Sequence, residues 1–149
     1  MRLKNKIAIV TGAGAGIGRG IAERFSREGA SVVIAEIDAA TGDAAAQSIL
    51  DSGGDAVFVR TDVSDEAQVK TMVQSALDRY GKIDVLCNNA AVLLVQQEAR
   101  AHELTNDTWD RTMAVNLRGY WLCSKYVIPA MLRQGGGSII HVASPTGLF

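Results

Sequence analysis

The sequence predicts a doubly wound α/β fold, in which helices cover both faces of a parallel sheet. Short β-branched runs alternate with longer helical patterns along all 149 residues. These runs are almost continuously apolar, as is typical of strands buried on both faces. A glycine-rich segment also joins the first run to the first helical pattern. Because a helix separates each pair of strands, right-handed crossovers make the strands parallel.

Five strands are predicted from the runs rich in valine and isoleucine. They lie at residues 6–11, 31–35, 56–60, 83–87 and 138–143. Strands of this number and order, separated by helices, favour a Rossmann-type sheet in three α/β/α layers. A single domain is expected over residues 1–149, because no linker, repeat or low-complexity tract interrupts the pattern.

The helices are predicted from apolar spacing and from their end signals. Ile17, Ile21 and Phe25 recur every four residues, so the first helix presents one apolar face to the sheet. The second helix is predicted at residues 40–50. The third opens with Ser64 as the expected N-cap, because serine at that position accepts a hydrogen bond from a free N–H group. The last is expected to be one long helix over residues 107–133, after an irregular loop at 92–106.

Composition excludes several classes of partner. The formal charge is −1, from 15 basic and 16 acidic residues, and no basic run occurs. We therefore expect no nucleic-acid partner and no anionic membrane partner. The apolar runs are too short to span a bilayer, and no signal-peptide core is seen near the N-terminus. Cys87 and Cys123 show neither pairing nor metal-ligand spacing, and His102 has no partner motif. His141, alone in the middle of a strand, is interpreted as a core or supporting residue rather than a metal ligand. A cytoplasmic protein without a metal site is predicted.

The strongest local motif is TGAGAGIG at residues 11–18, between the first strand and the first helix. Glycine there lets the backbone turn sharply and lets a pyrophosphate approach the helix N-terminus. The spacing fits T-G-x-x-x-G-I-G, whereas G-x-G-x-x-G counted from Gly12 would need glycine at Ile17. A P-loop is excluded because no Gly-Lys-Ser/Thr follows. A glycine-rich turn that binds no ligand remains the alternative.

With this loop, four further motifs in order resemble the short-chain dehydrogenase/reductase family. They are Asp62-Val63 after the third strand, Asn88-Asn89-Ala90-Ala91 after the fourth, Asn116 within the last helix and Ser144 after the fifth strand. Ala91 stands where the family has glycine. The resemblance implies that a dinucleotide contacts Thr11, Gly12, Gly14, Gly16, Ile17, Gly18, Glu36, Asp62, Val63, Asn89, Ala90 and Ala91.

The residue that ends the second strand favours NAD over NADP. In this fold that residue meets the adenosine ribose, and here it is Glu36, with Asp38 two residues on. A carboxylate accepts hydrogen bonds from both ribose hydroxyls and repels a 2′-phosphate. Neither the glycine loop nor the residues just after Glu36 supply a compensating cation. The alternative is that Glu36 is simply a solvated strand end.

The resemblance also implies the reaction and two catalytic residues. The family exchanges a hydride between a secondary alcohol or ketone and NAD(H), with tyrosine as the proton carrier and lysine four residues later. Ser144 would hydrogen-bond the substrate oxygen, and Asn116 would position a water. The alternatives are a turn serine before Pro145 and an exposed helix asparagine. The Tyr-x-x-x-Lys pair would fall beyond Phe149, so we expect the printed chain alone to be inactive.

No pair within the chain replaces that motif. Tyr120 and Lys125 come nearest, but five positions place them roughly 140° apart around a helix. We therefore interpret the sequence as the N-terminal part of an NAD-dependent oxidoreductase, truncated after the fifth strand. Its full-length form is expected to be a homo-tetramer or homo-dimer. A non-catalytic dinucleotide-binding module is the alternative, and a nucleotide-sugar epimerase fits less well because it would need glycine at Ala15. Residues 92–106 and 145–148 are expected to edge the substrate pocket.

Overall fold

A computed structural model describes residues 1–94, 97 and 99–144. Its centre is a five-stranded parallel sheet. The strands are β1 (Ile7–Thr11), β2 (Ser31–Glu36), β3 (Asp55–Arg60), β4 (Val85–Asn88) and β5 (Ser138–His141). Their spatial order is β3-β2-β1-β4-β5, and the predicted strand bounds agree to within two residues. The predicted parallel sheet is confirmed.

Helices separate the strands along the chain. They are α1 (Gly16–Arg27), α2 (Ala39–Asp51), α3 (Glu66–Tyr80), α4 (Asn106–Met113) and α5 (Tyr120–Arg133), with a π-helical turn at Ala114–Gly119 between the last two. Asp38 begins α2 by accepting a hydrogen bond from the N–H of Thr41, and Thr105 begins α4 in the same way with Thr108. None of the helices in the described part of the chain is both long and apolar enough to cross a bilayer.

Two apolar clusters hold the layers together, one on each face of the sheet. Ile9, Val33 and Leu86 face one side, where they pack with side chains of α3 and α5 such as Met72 and Val127. Neighbouring strand residues point to the opposite face, as the two-residue repeat of a strand requires, and pack under α1 and α2. The three-layer α/β/α arrangement is therefore confirmed.

The register of the strands positions the site. Thr11 at the end of β1 pairs with Ala35 of β2, and Val10 pairs with Cys87 of β4. The carboxyl ends of these three strands therefore meet at one edge. Chain order reverses between β1 and β4, which is the switch point where doubly wound sheets form their binding crevice.

One local prediction was incomplete and one was wrong. Residues 106–133 are helical throughout, close to the predicted 107–133, but the middle of this segment, Ala114–Gly119, is π-helical. There Gly119 lies so close to Val63 that a Cβ atom would stand 2.8 Å from Cγ2 of that valine. The N-cap of α3 is Asp65, whose carboxylate accepts from the N–H groups of Ala67 and Gln68. Ser64 instead donates through its N–H and hydroxyl to the Asp62 carboxylate, so its side chain is engaged with the turn before the helix.

Candidate functional site

A cleft of about 730 Å³ opens at the carboxyl edge of the sheet, beside the switch point. Its volume lies within the range of small-molecule sites. It is lined by the glycine loop and α1 start, the ends of β2, β3 and β4, and one face of the α4 region. The lining residues are Gly12, Ala15, Gly16, Ile17, Gly18, Glu36, Ile37, Thr61, Asp62, Val63, Ser64, Asn89, Ala90, Ala91, Val92, Asp110, Arg111, Ala114 and Val115.

The glycine loop turns at the bottom of this cleft. Gly12 and Gly16 have φ angles of +62° and +54°, in the left-handed region that glycine adopts without strain. A Cβ atom on Gly12 would stand 2.8 Å from Cα of Ala90, so the loop and the end of β4 touch through backbone atoms. A Cβ atom on Gly16 would meet no atom within 4 Å. The loop is therefore tightly packed at Gly12, against the end of β4, and open at Gly16.

The start of α1 carries uncapped amides into the open space. Its N-cap, Ala15, offers no side-chain acceptor, and its first turn holds no acidic residue. By contrast, α2, α3 and α4 each have an N-cap side chain that accepts a backbone hydrogen bond. Because Gly16, Ile17 and Gly18 line the cleft, this helix end offers N–H groups and a positive dipole to an anion there.

Thr11 and Asn89 hold the loop against the end of β4. The Thr11 hydroxyl accepts hydrogen bonds from the N–H groups of Asn89 and Ala90, both at 3.0 Å. The Asn89 amide nitrogen donates to the carbonyls of Thr11 and Gly12, at 3.0 and 3.2 Å. Thr11 is fully buried and lies behind the cleft lining, so its contribution is to fix the backbone.

Glu36 presents a carboxylate at the end of β2. Oε2 accepts from the N–H of Gly14 at 3.0 Å, and Oε1 accepts from the N–H groups of Ile37 and Asp38 at 2.8 and 3.2 Å. Glu36 lines the cleft, whereas Gly14 is buried behind it. The carboxylate therefore both holds the glycine loop and faces the open space.

Asp62 and Val63 line the cleft just after β3 ends. The Asp62 carboxylate accepts from the N–H and the hydroxyl of Ser64, at 2.9 and 2.6 Å, which orders the turn after β3. Val63 is 5% exposed and packs against Gly119 of the π-helical turn. This close approach brings the helix region that contains Ala114 and Val115 to the cleft.

Asn116 lies in the π-helical turn, and both polar atoms of its amide bind the backbone of Val92. Oδ1 accepts from the N–H of Val92 at 2.8 Å, and Nδ2 donates to its carbonyl at 2.9 Å. Val92 follows Ala91 on the cleft wall. The asparagine is thus not an exposed polar group of the helix; it fixes the loop that leaves β4.

Ser144 is exposed and lies three residues beyond the end of β5. In the described part of the chain, neither Ser144 nor Asn116 lines the cleft. Tyr120 and Lys125 point to different partners, as their spacing predicts. The Tyr120 hydroxyl donates to the Val142 carbonyl, and Lys125 pairs with Glu66 at 3.0 Å.

The sequence prediction missed part of the cleft wall. Ile37 lines the cleft beside Glu36, and its position next to that predicted residue is the one feature of the sequence that indicates this. Asp110 and Arg111 of α4 and Ala114 and Val115 of the π-helical turn also line it. The pairs 110/114 and 111/115 are four residues apart, which marks a common helix face but not the direction in which that face points. Within residues 1–94, 97 and 99–144, no group of three or more histidine, cysteine or acidic side chains could hold a metal ion. Of the predicted substrate-pocket edge, residues 95, 96, 98 and 145–148 lie outside the described residues.

Comparison with known proteins agrees with this architecture. A sequence profile of the short chain dehydrogenase family matches residues 6–149. An uncharacterized oxidoreductase of Thermotoga maritima is 45% identical over 142 residues, covering 95% of this chain and 54% of that protein. Galactitol 2-dehydrogenase of Agrobacterium fabrum is 40% identical over 148 residues, covering 99% of this chain and 56% of that protein. The chain thus spans about half the length of these curated relatives.

Solved structures match equally well. A 7α-hydroxysteroid dehydrogenase complexed with NADH and 7-oxo glycochenodeoxycholic acid has a TM-score of 0.92 at 33% identity, covering 99% of this chain and 56% of that one. A hydroxysteroid dehydrogenase from Escherichia coli has a TM-score of 0.88 at 34% identity, covering 96% of this chain and 59% of that one. The five-stranded fold, the ordered motifs and the family match all agree, and the chain belongs to the short-chain dehydrogenase family.

Proposed function

We propose that residues 1–149 form the dinucleotide-binding domain of an NAD-dependent oxidoreductase. The reaction is hydride transfer between a secondary alcohol or ketone and NAD(H). Family membership supports the reaction class, and the NADH-bound structural neighbour supports a nicotinamide dinucleotide as cofactor. The observation that carries the choice of NAD is the Glu36 carboxylate, which is bound by three backbone N–H groups and faces the cleft.

The residues of the cleft fit such a cofactor. The open space beside Gly16 and the uncapped start of α1 suit a pyrophosphate, which is an anion that accepts hydrogen bonds from backbone N–H groups. Glu36 suits the adenosine ribose at the end of the second strand. Asp62 and Val63 then flank the adenine side of the cleft. NAD supplies a hydride acceptor at its nicotinamide ring, and the loop orients it.

The charges near Glu36 support NAD over NADP in this proposal. A fixed carboxylate repels a 2′-phosphate unless a cation offsets it. Arg60 pairs with Glu36 in the register of β2 and β3, but its guanidinium donates to the Ile37 carbonyl at 3.2 Å and does not line the cleft. Among the described lining residues, Arg111 is the only cation. The glycine loop itself contributes none. This arrangement supports NAD.

Catalysis in this proposal rests on Ser144, which hydrogen-bonds the substrate oxygen, and on Asn116. The proton carrier is a Tyr-x-x-x-Lys pair, which does not occur within residues 1–149. We therefore propose that these residues alone bind the dinucleotide without turning over substrate. Because Asn116 already binds Val92 through both amide atoms, we assign it first to holding the cleft wall.

We further propose a cytoplasmic homo-oligomer, a tetramer or a dimer, that acts on a small alcohol or ketone. The two cysteines are free and buried, which suits a reducing compartment. Leu117, Trp121 and Leu132 expose 60%, 55% and 74% of their surface on the π-helical turn and α5. Apolar groups exposed together on one region support an interface with another copy.

NADH and NADPH titrations followed by fluorescence test the choice of cofactor. Three proteins are compared: the wild type, Glu36→Gln, which keeps an acceptor oxygen but loses the charge, and Asp38→Asn. Asp38 is a neighbouring carboxylate outside the cleft lining, and asparagine also caps helices well. We expect the wild type to bind NADH more tightly than NADPH. The ratio of the two dissociation constants should move toward one in Glu36→Gln and stay unchanged in Asp38→Asn. Equal affinity of the wild type for both dinucleotides would contradict the proposal.

Turnover separates an enzyme from a non-catalytic module. The protein is expressed from its complete reading frame and assayed for NAD⁺ reduction with a panel of secondary alcohols that includes galactitol and cyclohexanol. Galactitol enters the panel because a 40% identical relative is a galactitol 2-dehydrogenase. An oxidoreductase reduces NAD⁺ with at least one alcohol and loses that activity in Ser144→Ala. Tight NADH binding without any reduction indicates the module.

A further inference from the structure

Tyr120 links the helix that contains Asn116 to the end of β5. It is the first residue of α5 and lies four residues after Asn116, which is about one turn. Its hydroxyl donates to the carbonyl of Val142 at 3.1 Å. Its ring stacks on His141, with centroids 5.6 Å apart and an interplanar angle of 18°. One side chain therefore contacts two consecutive residues of the segment that leads to Ser144.

The backbone of Val142 is held from two directions. Its N–H donates to the carbonyl of Asn88 in β4 at 2.9 Å, and its carbonyl accepts from Tyr120. The regular pairing of β4 with β5 ends at Asn88 and His141. Beyond that pair, these two hydrogen bonds determine the path of the chain at Val142, and Ser144 follows two residues later.

The Tyr120 end of this link is itself fixed. Ser124 donates through its hydroxyl to the Tyr120 carbonyl at 2.7 Å, and the Asn88 amide nitrogen lies 3.3 Å from that hydroxyl. The same amide nitrogen lies 3.2 Å from Nδ1 of His141. Asn88 is fully buried. The polar groups around the tyrosine thus connect β4, β5 and α5 at one point.

The tyrosine hydroxyl acts as a permanent donor there. Burial raises the pKa of Tyr120 above its ordinary value, so the phenol stays protonated through the neutral range. A phenylalanine would keep the ring on His141 but lose this donor. The hydroxyl therefore has a contribution that can be separated from packing.

We propose that Tyr120 is a positioning residue, which fixes the end of β5 and thereby the place of Ser144 relative to the turn that contains Asn116. The inference rests on the proposed function, because the position of Ser144 matters to catalysis only if that serine contacts substrate. Tyr120 neither exchanges a proton in the reaction nor contacts the substrate in this proposal. Its effect on the reaction is indirect, through the backbone of Val142.

A matched pair of substitutions tests it. Tyr120→Phe removes the hydroxyl bound to Val142, and Tyr126→Phe removes one from the same helix that is bound to Glu66 instead. Both variants and the wild type are expressed from the complete reading frame. Two quantities are measured: deuterium exchange of the backbone amides of residues 141–144, and the steady-state constants for NAD⁺ with the alcohol panel.

We expect Tyr120→Phe to speed exchange across residues 141–144 and to lower kcat by roughly tenfold, short of the roughly hundredfold that a 1 Å misplacement can cost. The KM for NAD⁺ stays unchanged, because the glycine loop is untouched. Tyr126→Phe changes neither quantity. If Tyr120 contributed only to stability, Tyr120→Phe would lower the melting temperature without lowering kcat at an unchanged KM.

The outcomes separate the inference from the proposed function. If the wild type reduces no NAD⁺, or Ser144→Ala remains fully active, the proposed function fails, and the exchange measurement alone still decides whether Tyr120 fixes the strand end. If exchange in Tyr120→Phe matches that in Tyr126→Phe, the inference is overturned whatever the activity. If exchange rises but kcat does not fall in an active enzyme, the link exists but does not position Ser144, and the inference is likewise overturned.

Discussion

Gly18 packs directly against the carbonyl of Gly12. A Cβ atom on Gly18 would overlap that oxygen and would stand 2.5 Å from Nδ2 of Asn89. Asn89 in turn binds the carbonyls of Thr11 and Gly12, so these groups cannot move apart independently. The last glycine of the loop motif is therefore required by contact between backbone atoms, before any ligand is considered.

Alanine at Gly18 should be destabilising, and alanine at Gly20 should not. Gly20 lies in the same helix, is exposed, and would place its Cβ in open space. We expect Gly18→Ala to lose about 1–3 kcal/mol by overpacking and to weaken NADH binding. We expect Gly20→Ala to gain about 0.5–1 kcal/mol from helix propensity. Urea unfolding of both variants checks this, and equal stabilities would show that the close approach to Gly12 is not rigid.

Asn116 should stabilise the wall of the cleft. Alanine there leaves the N–H and carbonyl of Val92 without their side-chain partners, which costs about 1–3 kcal/mol if water cannot replace them. Asn106→Ala is the control, because Asn106 is exposed at the start of α4 and Thr105 provides the cap. We expect faster deuterium exchange at residues 91–94 in Asn116→Ala only. Unchanged exchange there would mean that the loop is held without the amide.

The sequence predicted the parts of the site that follow from the order of strand and loop, but not the parts that depend on which of several side chains forms a hydrogen bond. Gly12, Gly18 and Glu36 could be placed because a strand end followed by a glycine loop has one geometry in a doubly wound sheet. The N-cap of α3 could not, since serine and aspartate at adjacent positions both accept the same hydrogen bonds. In the structure Ser64 donates its hydrogen bonds to the Asp62 carboxylate, and Asp65 is the residue that caps the helix.

The π-helical turn and the role of Tyr120 also lie beyond local pattern. Residues 107–133 read as one continuous helix because helical spacing does not report what a side chain meets. Two tertiary contacts are made from this turn, the approach of Gly119 to Val63 and the pairing of Asn116 with Val92. π-Helical turns inside α-helices are frequent at functional sites, which agrees with the position of this one beside the cleft.

Asp84 should make the fold sensitive to acid. Its carboxylate, 12% exposed, accepts from the N–H of Ile7 at 2.9 Å and pairs with Lys82 and Lys6 at 2.9 and 3.1 Å. Burial raises the pKa of Asp84, but the hydrogen bond from Ile7 and the two ammonium groups outweigh burial and hold the pKa below its ordinary value. The folded state thus binds this proton less tightly than the unfolded chain does.

The stability from Asp84 is therefore present above the unfolded pKa, near ~3.9, and is lost as the pH falls through the lower folded value. We expect Asp84→Asn to lose about 1–3 kcal/mol at pH 7 and to approach the wild type in strong acid. Asp43→Asn is the control, because Asp43 is exposed on α2. Unfolding free energies measured from pH 2 to 7 check this; a difference that does not shrink in acid would show that the charge of Asp84 is not responsible.

Cys123 should be unreactive in the folded chain. Burial raises its pKa to about 12, and its side chain is fully buried on the face of α5 that packs on the sheet. Burial also raises the pKa of Cys87, which is 1% exposed in β4. Because the thiolate is the reactive form, iodoacetamide at pH 8 should label neither thiol before the chain opens. In urea both should react at the rate of a free cysteine, and rapid labelling of the native chain would show that α5 does not stay closed over the sheet.

The same burial predicts a loss of stability in alkali. The folded state keeps the Cys123 proton more tightly than the unfolded chain, whose thiol titrates near ~8.5. Stability is unaffected below that pH and falls as the pH rises from there toward the folded value of about 12. Cys123→Ala removes the titrating group and leaves only a small cavity, so its stability should fall less steeply between pH 8.5 and 10. The diagnostic quantity is the slope of the unfolding free energy against pH, because the cavity changes stability equally at every pH whereas loss of the thiol proton changes the slope. Equal slopes for the wild type and the variant would mean that another group, such as a tyrosine, governs unfolding in alkali.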